Sequence, residues 1–153
     1  MAHAVRLLTR PSALTTRFTR AHAAILRASR GRIKRSLLLA GGQPVLSLTT
    51  TGCKSGQPRS TIVAYLEDGD ALAVFGMNLG NERAPAWSLN LAADPRATVD
   101  VNGRRLEVSG TRVTGEEARR LWRAYTDRLP ASKTFAAIAG REIPIWVLRP
   151  KPR

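Results

Sequence analysis

Between Leu46 and Asp70 the chain reads LSLTTTGCKSGQPRSTIVAYLEDGD, and the segment Gly52-Cys53-Lys54-Ser55-Gly56-Gln57-Pro58-Arg59 gathers its chemistry in eight residues. Lys54 and Arg59 supply charge, Ser55 a hydroxyl, and Gly52 and Gly56 let backbone amides approach a ligand closely, as an anion clamp requires. A solvated turn between two strands has the same composition, so residue types alone leave both readings open. A phosphate-binding P-loop is not among them, because it needs GxxxxGK[ST] opening a helix and here the glycines are spaced differently and a strand follows. Cys53 beside Lys54 has the charge neighbour that lowers a thiol pKa, but no general base stands near it in the sequence.

The remaining chemistry is bounded by what the chain lacks. Both histidines, His3 and His22, lie near the N-terminus. The rest of the chain therefore has no Ser-His-Asp or Cys-His set. A single cysteine gives neither an intramolecular disulfide nor support for a zinc site, so no metal is expected. The 153 residues fit one core, and 25 Lys+Arg against 11 Asp+Glu leave a net charge of +14, which points to an anionic partner. Nucleic acid is disfavoured by an aromatic fraction of 5% and by the lack of a recognition helix or stacking motif. No apolar run approaches the roughly 20 residues that span a bilayer.

The elements that must position the loop follow from patterning. The first carboxylate of the chain is Glu67. Residues 1–36 form a basic N-terminal segment in which Leu14, Phe18, Ala21, Ile25 and Leu26 share one side of a helical wheel and Arg17, Arg20, Arg27 and Arg30 the other. Such an amphipathic helix has three uses: docking on the protein's own core, lying on an anionic membrane surface, or serving as a targeting sequence. Residues 37–153 form the second unit. Val45–Thr51, Ser60–Glu67 and Ala71–Met77 read as strands, the last two joined by a tight turn at Asp68-Gly69-Asp70. Arg96–Asn102 and Arg104–Val113 form a second hairpin through Asn102-Gly103. PAWSLNLAADP, with Pro85 in its first turn, predicts a short helix over one opening of the sheet. Thr114-Gly115-Glu116-Glu117 predicts a capping box and a helix to Arg128 that buries Leu121, Trp122 and Tyr125. A further short helix over 132–139 and a strand in EIPIWVLRP complete about six strands, mostly antiparallel, in a small closed or partly open barrel with helices outside.

LTTTGCKSGQPRST, DGD, PAWSLNLAADPRATV, TGEEARRLW and REIPIWVLRP, in this order and spacing, resemble the deazaflavin-dependent nitroreductase family, split β-barrel oxidoreductases that use coenzyme F420. The resemblance spans about residues 44–150. It implies a mainly β, six-stranded antiparallel split barrel of the FMN-binding type with peripheral helices. It also implies F420 as cofactor, with FMN as the alternative, and hydride transfer to a flat electron-poor acceptor. The phosphodiester and oligoglutamate tail of F420 suit the positive charge.

Residue by residue, the resemblance places Lys54, Ser55, Gly56 and Arg59 at the phosphate and tail, and Met77, Asn78, Gly80, Pro85, Ala86 and Trp87 beside the cofactor. Trp87 as plain core is the competing reading. Tyr65 is matched to a substrate-side tyrosine and is the candidate proton donor. Leu129, Ser132 and Phe135 stand where nitroimidazole-reducing relatives carry tyrosines, and Met77 where they carry a serine. The resemblance thus implies a more apolar pocket, which favours a quinone or enone over a nitroaromatic acceptor. A non-catalytic F420 carrier is the alternative function. The expected location is the cytoplasm, with peripheral attachment to the inner face of the plasma membrane if the N-terminal helix binds lipid.

Overall fold

The computed structural model describes residues 42–152; the amphipathic helix expected within residues 1–36 lies outside the described residues. Six strands, β1 (Val45–Thr51), β2 (Pro58–Asp68), β3 (Ala71–Phe75), β4 (Arg96–Val101), β5 (Arg104–Val113) and β6 (Ile145–Pro150), alternate with a 3₁₀ turn at Asn78–Gly80 and with helices α1 (Ala86–Ala93), α2 (Gly115–Arg128) and α3 (Ala131–Ala139). The strands close into a barrel in the order β1-β2-β3-β6-β5-β4, and every pairing is antiparallel. Closure removes the exposed edges that an open sheet would present.

Period-two alternation sorts the side chains between two apolar clusters. Leu46, Leu48, Val63, Tyr65, Val74, Val99, Val101, Val108, Trp146 and Leu148 fill one, together with Trp87 and Leu91 from α1. Leu66, Ala73, Phe75, Val113, Ile145 and Val147 meet Leu121 and Tyr125 of α2 in the other, where the Phe75 and Tyr125 rings stack with centroids 4.0 Å apart. Helix α1 thus stops one barrel opening, and α2 covers the outer face of β3 and β6. Trp146 fixes α1 further, its indole Nε1–H donating to Ser88 Oγ at 2.8 Å.

The two hairpins form as expected: Gly69 sits at φ 65°, and Asn102 and Gly103 at φ 50° and 74°, the signature of a type I′ turn. Four details differ from the sequence reading. Strand β3 ends at Phe75: the Gly76 amide still donates to the Pro144 carbonyl at 2.8 Å, but Pro144 has no N–H to extend the ladder. Pro85 caps α1 with extended geometry instead of entering its first turn. Thr114 makes no side-chain cap bond; the acids of the expected capping box are engaged by arginines, Glu116 by Arg119 at 2.7 Å and Glu117 by Arg149 at 3.8 Å. Trp122 is only partly buried against the α2 cluster, whose buried ring partners are Tyr125 and Phe75.

A basic cleft at one end of the barrel

The loop joining β1 to β2 is a closed turn built by its own backbone. The Gly52 amide donates to the Gln57 carbonyl at 2.8 Å and the Gly56 amide to the Gly52 carbonyl at 2.7 Å. A Cβ at Gly52 would lie 2.6 Å from Ser55 Oγ, and Gly56 stands at φ 67°, so each position needs glycine for a different reason. Ser55 Oγ accepts from the Gln57 amide at 3.2 Å and from Arg59 Nη2 at 3.4 Å, holding the guanidinium at the mouth of the turn.

Asn90 joins this loop to the barrel. Almost fully buried on α1, it donates from Nδ2 to Thr50 Oγ1 at 3.0 Å and accepts the Cys53 amide on Oδ1 at 3.0 Å. Its two anchors lie 37 and 40 residues away in sequence, so nothing in the local pattern marks it. Cys53 is held by its backbone, and its side chain is exposed.

Loop and helix together border a cleft of about 600 Å³ whose walls include Lys54, Ser55, Arg59, Asn78, Pro85, Ala86 and Trp87. The sequence reading did not single out Thr50, Ser60, Thr61, Leu89 and Asn90, which also line it. Gly56 lies in the same turn without facing the cleft. The lining contains two cations and no carboxylate, and neither Lys54 nor Arg59 has an ion-pair partner among the described residues. Trp87 is buried in the barrel cluster on one side and forms cleft wall on the other. Unpaired cations and hydroxyls beside an apolar wall of Pro85, Ala86, Trp87 and Leu89 fit a ligand with an anionic tail and a flat ring.

The other candidates lie elsewhere. Met77 packs against the α2 cluster with Leu129. Gly80 abuts α3, where an added Cβ would stand 3.1 Å from the Phe135 carbonyl. The Phe135 side chain is exposed, whereas Ser132 is buried with its hydroxyl beside that of Tyr125. The nearby Tyr125 hydroxyl has its pKa raised, chiefly by burial.

Tyr65 is separated from the clamp. It follows Arg59 by six residues along β2, about 20 Å of extended chain. Tyr65 lines a second cavity of about 240 Å³ with Glu67, Asp70, Asn102 and Arg104. Burial raises its pKa while a hydrogen bond with Asn102 opposes the shift. Among the described residues no His/Cys/Asp/Glu group could hold a metal, and no helix is long and apolar enough to cross a membrane.

Comparison with known proteins gives the cleft a context. The family model described as F420H(2)-dependent quinone reductase matches residues 18–150. An F420H(2)-dependent quinone reductase of Mycobacterium tuberculosis is 35% identical over 132 residues, covering 84% of this chain and 87% of the relative. Among solved structures, an F420-H2 dependent reductase superposes with a TM-score of 0.63 at 25% identity, over 69% of this chain and 94% of that one. A FAD-binding protein from Mesorhizobium loti shares the fold alone, with a TM-score of 0.51 at 16% identity over 74% and 82% of the two chains.

Proposed function

Because this chain belongs to the F420H(2)-dependent quinone reductase family, we propose that its basic cleft binds reduced coenzyme F420 and that the protein reduces a flat lipophilic quinone. When bound, the cofactor supplies a hydride from C5 of its deazaflavin ring. The quinone would gain that hydride and one proton and become a hydroquinone, while oxidation of the cofactor releases one proton, so the exchange balances. The single observation that carries the cofactor reading is the cleft lining itself, in which Lys54 and Arg59 face a ligand space without a carboxylate to neutralise them.

Each residue then has a physical task. Lys54 and Arg59 hold the phosphate and acidic tail through charge-assisted hydrogen bonds. The closed Gly52–Gln57 turn fixes them in advance, and Asn90 ties that turn to α1, so little ordering is left for the binding step. Trp87, Pro85 and Ala86 give the ring an apolar wall and keep water from it. Met77, Leu129 and Phe135, on the α3 side of the Asn78 loop, offer the acceptor an apolar surface. With Tyr65 at the other end of β2, the acceptor's proton comes from water, which a quinone tolerates because it binds chiefly by stacking. The family's activity favours this catalytic reading over a carrier.

A fluorescence titration with F420 and FMN, followed by turnover with naphthoquinones and nitroimidazoles, tests it. F420 should bind more tightly than FMN, and quinones should be reduced faster than nitroimidazoles. Equal or tighter FMN binding would overturn the cofactor assignment, and faster nitroimidazole turnover would overturn the acceptor.

A further inference from the structure

The loop that brings Asn78 to the cleft has an improbable backbone. Asn78, Leu79 and Gly80 follow one another at φ 46°, 52° and 76°, and the left-handed region is unfavourable for any residue that carries a Cβ. Packing of Leu79 does not compensate, since its side chain is 62% exposed. Short-range bonds contribute: the Gly80 amide donates to the Met77 carbonyl and the Asn81 amide to the Asn78 carbonyl, both at 3.0 Å, and Asn78 Nδ2 donates to the Arg83 carbonyl at 2.9 Å.

Beyond the packing of α3 against Gly80, long-range side-chain hydrogen bonds to the loop come from Arg141, just before β6. Its Nε donates to the Asn81 carbonyl at 3.0 Å, and its Nη2 to the carbonyls of Gly76 at 2.9 Å and Met77 at 3.3 Å. Nη1 donates to the Glu142 carbonyl at 3.1 Å. Every one of these acceptors is main chain, and three belong to the two ends of the left-handed run, so the planar guanidinium brackets the loop from both sides.

We propose that Arg141 is a positioning residue for the cofactor, holding the Gly76–Asn81 loop in the left-handed form that makes Asn78 part of the cleft wall. The proposal rests on the reading of the cleft as the F420 site, and its role is geometric: Arg141 acts through the loop and supplies no charge to the ligand.

The test uses the full chain with four variants, Arg141→Gln, Arg141→Lys, Leu79→Gly and the double variant Leu79→Gly/Arg141→Gln. Amide hydrogen exchange without ligand comes first. In Arg141→Gln the Gly80 and Asn81 amides should exchange at least about tenfold faster, with Val74 and Val147 in the barrel unchanged. Unchanged exchange at Gly80 and Asn81 would overturn the proposal whether or not any cofactor binds.

F420 affinity comes second. Arg141→Gln should bind about tenfold more weakly, as expected when a preorganised wall must be ordered on binding. Arg141→Lys should stay close to Arg141→Gln, because an ammonium keeps the charge without the fork. Wild-type affinity in Arg141→Lys would show that charge, not positioning, matters. Leu79→Gly alone should bind like wild type, and the double variant should regain much of the lost affinity, since glycine accepts positive φ without strain. A double variant as weak as Arg141→Gln would overturn the strain argument. If the wild-type protein failed to bind F420, the reading of the cleft would fall, while the exchange data would still decide whether Arg141 holds the loop.

Discussion

The two ends of the barrel are made from the same six strands and differ in how those strands are joined. At one end β1 and β2 are linked by the closed glycine turn, and β3 and β4 by the Asn78 loop and α1. At the other end, Asp68-Gly69-Asp70 and Asn102-Gly103 return the chain in tight hairpins. Charge follows the same division: the cleft has Lys54 and Arg59 without a carboxylate, whereas the smaller cavity sets Glu67 and Asp70 beside Arg104. Tight turns close a barrel end and balance their charges locally. The longer connections leave room for a ligand and carry unbalanced charge that an anion can complete.

The largest test of this contrast is Trp87, which serves core and cleft together. Trp87→Ala should destabilise the fold by about 3–5 kcal/mol, as large-to-small changes of buried aromatics do. It should also weaken F420 binding. Val101→Ala at the opposite end should lower stability alone. Denaturant unfolding and F420 fluorescence on the same samples check both, and a Trp87 variant with normal affinity would remove the indole from the ligand wall.

Next in size is the charge contrast. Lys54→Ala and Arg59→Ala should each weaken F420 binding by about 1–3 kcal/mol, the range for charge-assisted hydrogen bonds, with the fold intact. Arg104→Ala, which removes a cation from the other end, should change the affinity little. If all three substitutions acted alike, general positive charge and not the clamp would account for binding.

A smaller effect is expected at Tyr65. Since the structure puts it in the second cavity, Tyr65→Phe should alter F420-dependent naphthoquinone reduction by less than about threefold, well short of the 10²–10⁴-fold typical of a lost general acid. A loss in that larger range, read from deazaflavin oxidation by absorbance, would bring the tyrosine back to the reacting centre.

Tyr65 also shows where sequence patterning runs out. Alternation located β2, and DGD and NG located both hairpin turns, because these signals act between neighbours in the chain. Which end of an eleven-residue strand faces the ligand is a matter of barrel closure, and Tyr65 shares its strand with Arg59 without sharing its end. Asn90 and Arg141 were illegible for the same reason: their partners in the cleft loops are 37 to 65 residues away, and Arg141's loop acceptors are all main chain, which no residue type marks in the sequence. The capping box failed in the opposite direction. Its pattern was local and correct in composition, yet arginines on α2 and β6 engage its acids. Lys54, Ser55 and Arg59 were legible because the glycines that close their turn are part of the same eight residues.

The smallest expected effect is electrostatic and belongs to the hairpin end. Asp68 accepts two hydrogen bonds from Arg120 of α2, both at 2.9 Å, joining the β2–β3 turn to a helix 52 residues further on. The Arg120 hydrogen bond is the main cause that holds the Asp68 carboxyl below its ordinary value of 3.8. A carboxyl whose folded pKa is depressed contributes stability above its unfolded pKa and loses it as pH falls through the folded value. Both side chains are partly exposed, at 27% and 53%, so solvent screening limits the pair to about 0.5–1 kcal/mol near neutral pH. Asp68→Asn should therefore be slightly less stable than wild type at pH 7, and the difference should shrink as the pH falls below about 4, where the wild-type carboxyl also becomes neutral. Urea unfolding of both proteins across that range measures it. A difference that persists undiminished at pH 3 would assign the contribution to side-chain packing in place of charge.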